Sequence, residues 1–200
     1  MLYTVSRISA GDWVLVHASG GGVGLFVTQL AIRAGAKVIG TVGTPGKEKK
    51  PLAYGATSVI NLKDGNFVEQ VLDLTEGKGV DLAVDSLGAT TLDKTFGAVR
   101  MLGHIINIGE AEGKPIENIR QQCLVRSQTF TRFHLGHVIG FPALWQEGNH
   151  FILNALQAGW LNPTIVETFS LKEARNMHEA IENRTNSGKL LLQTGPSTDS

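Results

Sequence analysis

The sequence has a single cysteine, Cys123, so it cannot form an intrachain disulfide, which fits a reducing compartment. It also lacks an excess of either charge, because 18 Lys and Arg residues balance 18 Asp and Glu residues. No overall positive field is available for nucleic acid, and no basic amphipathic stretch suggests a membrane surface. No apolar run approaches the roughly 18 residues of a membrane span. We therefore expect a cytoplasmic protein that binds neither nucleic acid nor membrane.

Glycine, by contrast, is abundant, with 24 residues in 200 against a usual share of about 7%. Without a collagen-like period, this excess indicates tight turns and close backbone approaches. Only 18% of the residues are charged and 42% are hydrophobic, which is enough for a packed core. A chain of this length forms one ordinary domain, or one large domain with an appendage.

Short β-branched apolar runs alternate with longer segments of helical period, the pattern of an α/β protein with a parallel sheet. The predicted strands are Trp13–His17, Val38–Val42, Ser58–Leu62, Asp81–Asp85, His104–Ile108 and Gln128–Phe133. The predicted helices between them are Gly22–Ala34, Phe67–Thr75, Thr90–Met101 and Glu117–Leu124. Proline is tolerated only near a helix start, so a further helix at Pro51 is expected to be short.

The pattern changes after His134. A long helix is predicted over residues 143–159, with Leu153 among its apolar positions and Trp145 and Trp160 as core anchors. The later elements are a strand with a turn, a helix and a last strand, at Pro163–Leu171, Lys172–Arg184 and Lys189–Gln193. The first residues carry apolar side chains at helical spacing, so the chain is expected to be a piece of a longer protein.

A glycine-rich loop, Ser19–Gly24, joins the first predicted strand to the first predicted helix. Ser19, Gly21 and Gly24 occupy the three glycine positions of the dinucleotide-binding fingerprint, in the strand–loop–helix–strand context that it requires. Gly21 would let the backbone approach a pyrophosphate, and Gly24 would let the helix pack closely on the strand. The helix N-terminus would then offer free N–H groups and a partial positive charge. The alternative is a glycine-rich turn without a ligand.

The end of the second strand carries the signal for the type of nucleotide. An NAD site usually has Asp or Glu about 20 residues past the loop, where it holds the ribose hydroxyls. The stretch from Gly40 to Lys47 contains no carboxylate, but has small residues, hydroxyls and then a lysine. Such a pocket suits a 2′-phosphate, which needs room and positive charge. The alternative is that Lys47 is only a solvated charge.

Four pieces, VHASGGGVG, GTVGTPGK, VDSLG and SGKLLL, occur in this order and together resemble the zinc-free quinone oxidoreductases. These form the zeta-crystallin-like branch of the medium-chain dehydrogenase/reductase superfamily. The resemblance implies a Rossmann-type doubly wound α/β fold with a six-stranded parallel sheet, followed by C-terminal elements of a GroES-like catalytic domain that is otherwise absent. Residues 1–162 would form the dinucleotide-binding domain, residues 163–193 the return segment of the catalytic domain, and residues 194–200 a polar tail.

The resemblance also implies which residues contact the cofactor, NADPH. Those at its phosphates would be Gly21, Gly22 and Val23 for the pyrophosphate, Thr41, Gly43 and Lys47 for the 2′-phosphate, and Arg184, which reaches back to a cofactor phosphate. Those at its other parts would be Ser86 and Leu87 beside the adenine-side ribose, Gly109, Phe133, His134 and Leu135 at the nicotinamide end, and Leu62 at the adenosine end. Relatives often carry a tyrosine at the position of Leu62, so a stacking partner is lost there.

Other candidate residues favour structural roles. His134 and His137, with His150 following, give only a weak zinc signal, and no metal site is expected. Cys123 fits a buried small hydrophobe better than a nucleophile. Asp85 ends a strand, where it is expected to cap the following turn.

The resemblance implies hydride transfer from NADPH to a quinone or another α,β-unsaturated carbonyl, with the chemistry carried by the cofactor. No catalytic residue is identified. Two alternatives stay open: a non-catalytic nucleotide-binding or regulatory fragment, and an enoyl reductase with the same nucleotide loop.

Two surfaces are expected to need a partner. The last strand of the sheet, residues 128–133, should lie at an edge, and relatives are similar in dimerising through this strand. The return segment should leave apolar side chains uncovered unless another chain buries them. These are Ile165, Val166, Phe169, Leu190 and Leu192.

Overall fold

The protein folds around a six-stranded sheet in which all neighbouring strands run parallel, in the order β3-β2-β1-β4-β5-β6. The computed structural model describes residues 1–114, 117–183 and 186–195. The strands are β1 Trp13–Val16, β2 Lys37–Val42, β3 Ser58–Asn61, β4 Val80–Asp85, β5 Val99–Asn107 and β6 Thr129–Arg132. The predicted doubly wound parallel sheet is confirmed.

Helices cover both faces of the sheet. They are α1 Gly22–Arg33, α2 Lys49–Ala53, α3 Phe67–Leu74, α4 Ala89–Ala98, α5 Ile119–Arg126, α6 Leu135–Val138 and α7 Pro142–Gln157. Successive strand residues point to opposite faces, so Leu15 packs with α3 and α4 while its neighbours Val14 and Val16 pack with α1. The chain therefore has two apolar layers, one on each side of the sheet. As expected, the helix that contains Pro51 is short.

The largest difference from the predicted elements lies between α4 and β5. The helix ends at Ala98 and the strand begins at Val99, whereas a helix was predicted as far as Met101. Two side chains from further along the sequence donate hydrogen bonds to the carbonyl oxygens at this helix end. Arg126 Nη1 donates to the Gly97 and Val99 oxygens at 2.9 and 3.0 Å, and Gln128 Nε2 donates to the Val99 oxygen at 2.7 Å. These contacts span about 30 residues, so helical periodicity could not reveal them.

The long helix α7 is less buried than predicted. Ala155 is its only fully buried residue among those described, while Leu153 is 54% exposed and Trp145 is 36% exposed. The expected role of Trp145 as a core anchor is therefore wrong, and the apolar Leu153 side chain faces solvent. Trp160 is half-buried, with the Arg33 guanidinium 5.2 Å from its ring centroid and the Phe151 ring against it.

A small separate unit follows, built from β7 Ile165–Ser170, α8 Ala174–Glu182 and β8 Lys189–Gln193. We call these elements the C-terminal ribbon. Its two strands pair in parallel and contain no fully buried residue, nor does α8. Of the five side chains expected to be uncovered, Ile165 and Val166 are 52% and 48% exposed, whereas Phe169, Leu190 and Leu192 are half-buried. No helix in the described part of the chain has the length and apolar character to span a bilayer.

Candidate nucleotide site

The candidate site lies at the carboxyl ends of the parallel strands, where the strand order reverses between β1 and β4. Connections from these two strands leave toward opposite faces of the sheet, which opens a crevice at this point. Ligands of doubly wound sheets bind in such a crevice. The glycine-rich loop follows β1 directly and therefore lies at its mouth.

The loop has the close approaches that its glycines predict. A Cβ atom on Gly24 would lie 2.3 Å from the Ala18 carbonyl oxygen and 2.7 Å from the Ser19 Cα atom, so no larger residue fits there. Gly21 caps α1 in an extended conformation, no side chain caps the helix, and its first turn contains no acidic residue. The N–H groups at the start of α1 are thus not matched by a carboxylate of that turn. This is the arrangement that an anion requires.

The loop after β2 packs directly on the glycine-rich loop. A Cβ atom on Gly20 would lie 3.0 Å from the Cβ atom of Lys47, which places this lysine beside the loop. A Cβ atom on Gly43 would meet no atom within 4 Å, so space remains there.

Thr41, however, does not present its side chain to this space. It is fully buried, and its hydroxyl lies 2.9 Å from the Nδ1 atom of His17 beneath the glycine-rich loop. The Thr41 hydroxyl is thus bonded to His17, and its predicted contact with a 2′-phosphate stays a prediction.

The loops after β4 and β5 are held together by a buried carboxylate. Asp85 accepts hydrogen bonds from the backbone N–H groups of Leu87 and Gly88 at 3.1 and 3.0 Å, so its predicted role as a cap is confirmed. The amide of Asn107 donates to the same carboxylate at 2.6 Å and to the Gly109 carbonyl oxygen at 2.8 Å. Burial raises the pKa of Asp85, and these donors oppose the rise.

Ser86 and Gly109 consequently touch, since a Cβ atom on Gly109 would lie 3.0 Å from the Ser86 carbonyl oxygen. The end of β6 lies next to them, because the Phe133 N–H donates to the backbone carbonyl oxygen of Asn107 at 2.9 Å. His134 and Leu135 follow on the exposed surface. Five of the predicted contact residues thus come together along one edge of the sheet.

Two further predicted contacts are Leu62 and Arg184. Leu62 follows β3 and lines a cavity of about 480 Å³ with Phe67 and Thr91. Arg184 lies outside the described residues. Cys123 is half-buried against the core rather than fully buried, and burial raises the pKa of its thiol.

The C-terminal ribbon supplies two residues that the sequence reasoning missed. The Ser187 hydroxyl donates to the Gly20 carbonyl oxygen at 3.0 Å. The Nζ atom of Lys189 lies 3.4 Å from the position of a Cβ atom on Gly22, so a second cation stands at the first turn of α1. Ser187 and Gly20 are 167 residues apart, so no local pattern in the sequence could indicate their hydrogen bond.

Comparison with known proteins identifies the family of the chain. The sequence profile of the zinc-binding dehydrogenases matches residues 22–153, more than half of the chain. The chain belongs to the zinc-binding dehydrogenase family. Although the family's description names zinc, no group of three His, Cys, Asp or Glu side chains within the described ranges could hold a metal ion. The described residues therefore do not fit a zinc site.

Relatives within the zinc-binding dehydrogenase family include named reductases. The chain is 34% identical to the 2-haloacrylate reductase of Burkholderia sp over 194 residues, covering 96% of this chain and 58% of that protein. It is 37% identical to a probable quinone oxidoreductase of Schizosaccharomyces pombe, covering 92% of this chain and 56% of that protein. The crystal structure of Escherichia coli quinone oxidoreductase complexed with NADPH matches with a TM-score of 0.89 at 29% identity, over 96% of this chain and 60% of that one. The predicted resemblance is confirmed, and the chain spans less than two thirds of these relatives' lengths.

Proposed function

We propose that this chain is the NADPH-binding part of a reductase that transfers hydride to a quinone or another α,β-unsaturated carbonyl. One observation carries the proposal: the uncapped start of α1 lies at the sheet's crevice, with Lys47 packed on Gly20 and Lys189 on Gly22. The names of the relatives support the same class of reaction. When bound, the cofactor supplies the hydride.

The chain's own residues bind and orient the cofactor. The N–H groups of Gly22 and Val23, at the start of α1, hold the pyrophosphate together with the Lys189 ammonium group. Lys47 meets the 2′-phosphate, with space beside Gly43 and no carboxylate between Thr41 and Lys47 to repel it. Each lysine acts as a charge-assisted hydrogen-bond donor to a phosphate oxygen.

The remaining contacts follow the order of the strand ends. Ser86 and Leu87 lie beside the adenine-side ribose, and Leu62 lies at the adenosine end. Gly109, Phe133, His134 and Leu135 approach the nicotinamide. Arg184 is proposed to reach a phosphate.

The two lysines offer a matched test, because only one of them distinguishes the two cofactors. Calorimetry should show NADPH binding several-fold tighter than NADH. Lys47→Ala should remove most of this difference, since a charge-assisted bond from a half-exposed lysine contributes about 1.5 kcal/mol, or roughly a tenfold change in affinity. Lys189→Ala should lower the affinity for both cofactors by the same factor, because the pyrophosphate is common to them. Equal affinities in the unmodified chain would contradict the proposal.

The second candidate function is nucleotide binding without catalysis, because the described residues provide contacts for the cofactor while none of them is assigned to the reaction. Cofactor binding cannot distinguish the two functions. Turnover of a simple quinone by this chain with NADPH would establish the reductase, and tight binding without turnover would establish the alternative.

We also propose a homodimer in which the sheet continues through β6. This strand pairs only with β5 among the described strands. Beside it, α5 exposes Leu124 and Val125, at 72% and 76%. Light scattering at micromolar concentration should give the mass of a dimer, and Val125→Glu should give that of a monomer. Leu153→Glu, on exposed α7, is the control that should leave the mass unchanged.

The organisation of the whole protein is part of the same proposal. Residues 1–162 are the nucleotide-binding domain, residues 163–193 belong to the catalytic domain, and residues 194–200 form a tail. The exposed apolar side chains of the C-terminal ribbon would then be covered by the rest of the catalytic domain. The protein is zinc-independent and cytoplasmic in this proposal.

A further inference from the structure

A buried histidine lies directly beneath the glycine-rich loop and takes no part in the proposed contacts with the cofactor. His17 is the first residue after β1, is 2% exposed, and packs edge-on against the Phe67 ring. Its Nδ1 atom lies 2.9 Å from the Thr41 hydroxyl, and its Nε2 atom lies 2.8 Å from the Thr95 hydroxyl. The ring thus connects the ends of β1 and β2 to α4.

The direction of each hydrogen bond follows from the number of available protons. The Thr95 hydroxyl donates its single proton to the Thr91 carbonyl oxygen at 2.7 Å, so it can only accept from His17. The imidazole therefore carries its proton on Nε2. Burial keeps the ring neutral by lowering the pKa of His17 to about 4. The unprotonated Nδ1 atom must then accept the proton of the Thr41 hydroxyl.

Thr41 forms hydrogen bonds with the two residues that flank Ala18, namely His17 and Ser19. Its hydroxyl binds His17, while its carbonyl oxygen accepts from the Ser19 N–H at 2.9 Å and from the Ser19 hydroxyl at 3.1 Å. Between these two anchors lies Ala18, whose φ of 51° is in the left-handed region that a residue with a Cβ atom avoids. The Ala18 carbonyl oxygen then accepts the Gly21 N–H at 2.9 Å, which forms the turn before α1.

We propose that His17 is a positioning residue that acts through Thr41 to hold Ala18 in its left-handed conformation and so sets the shape of the glycine-rich loop. The proposal rests on the proposed nucleotide binding. Its consequence is that the Thr41 hydroxyl serves the loop, which both cofactors share, and does not recognise the 2′-phosphate.

Thr41→Val separates these two roles, because valine has nearly the same shape but lacks the hydroxyl. In calorimetry on the 200-residue chain, Thr41→Val should lower the affinities for NADPH and NADH by the same factor, about three- to tenfold for one lost hydrogen bond. Thr41→Ser, which restores the hydroxyl, should bind both cofactors nearly as tightly as the unmodified chain. A loss confined to NADPH would overturn the proposal, and so would unchanged affinity for both.

Two substitutions of the histidine test the same chain of contacts. His17→Asn places an amide oxygen near the position of Nδ1 and keeps the bond to Thr41. His17→Gln places an amide N–H near the position of Nε2 and keeps the bond to Thr95. Both substitutions remove the ring, so both should lower the thermal stability. Only His17→Gln should also lower the affinity for both cofactors, as Thr41→Val does. Equal affinities of the two variants would overturn the proposal.

Amide hydrogen exchange without cofactor keeps this test separate from the proposed function. Exchange at the Ser19 and Gly21 amides should be faster in Thr41→Val and His17→Gln than in Thr41→Ser and His17→Asn. If the chain bound neither cofactor, the proposed function would fail, while this pattern would still support His17 and Thr41 as the residues that position the loop. Unchanged exchange in all four variants would overturn that assignment.

Discussion

The six-stranded sheet and the C-terminal ribbon are built from similar apolar strands but differ in what covers them. Every residue of β2 after Lys37 is buried, whereas no residue of β7 or β8 is fully buried. The sheet has helices on both faces, whereas the ribbon strands pair only with each other among the strands of the described ranges. Because burial of apolar area is the main source of folding free energy, the sheet should hold nearly all of the stability. The ribbon nevertheless contributes Ser187 and Lys189 to the candidate site, which the sheet alone cannot complete.

Truncating one isoleucine in each region tests this difference most strongly. Ile39→Ala, at a fully buried position of β2, should lower the free energy of unfolding by about 2–5 kcal/mol because it leaves a cavity. Ile165→Ala, at a 52% exposed position of β7, should change it by no more than about 0.5 kcal/mol. Urea denaturation measures both. Equal losses would mean that the ribbon is covered in solution.

The pH dependence of stability should also originate in the sheet. The folded chain holds the pKa of His17 at about 4, while in the unfolded chain it has its ordinary value near 6.5. The unfolded chain therefore binds a proton first as the pH falls, so stability decreases from about pH 6.5 and the loss levels off below about pH 4. The full loss is about 3 kcal/mol.

Thermal denaturation across this pH range should show a flatter curve for His17→Asn than for the unmodified chain. Asp85 acts in the opposite direction, because its pKa is raised and its protonation favours the folded chain as the pH falls. An identical slope in the variant would show that another group accounts for the dependence.

Two glycine-to-alanine substitutions should have effects of opposite sign. Gly24→Ala forces a methyl group into the backbone at Ala18 and should destabilise the fold by about 1–3 kcal/mol. Gly148→Ala, within α7 and with no atom near the added methyl group, should stabilise it by up to about 1 kcal/mol. Urea midpoints compare the two directly, and a stabilised Gly24→Ala would contradict the close packing of the loop.

The smallest effect is expected where the ribbon is attached to the sheet. Tyr54→Phe removes the bond of 2.6 Å between the Tyr54 and Thr164 hydroxyls, worth about 0.5–1.5 kcal/mol. Amide exchange at Lys189, whose N–H donates to the Thr164 carbonyl oxygen, should accelerate, with a smaller fall in the urea midpoint than Ile39→Ala causes. Tyr3→Phe loses a bond to the Leu30 carbonyl oxygen and should leave exchange at Lys189 unchanged.

What the sequence could predict depends on how far apart the contributing residues lie. Local periodicity and the glycine-rich loop were enough for the sheet and for the close packing of Gly24. The missed features join distant segments, as when Arg126 and Gln128 end α4. Thr41 illustrates a second limit. Its place at the end of β2 was predicted, but the partner of its hydroxyl was not, because that partner, His17, belongs to a different strand end.

The bond between Gly20 and Ser187 also bears on the order in which the protein becomes functional during its synthesis. All six strands of the sheet lie within residues 13–132, so the sheet can assemble while residues 133–200 are still being made. At about 5–20 residues per second, that interval lasts several seconds. The glycine-rich loop is thus among the first parts of the molecule to fold and among the last to be completed. A newly made chain should hold its nucleotide firmly only after Ser187 and Lys189 have been synthesised.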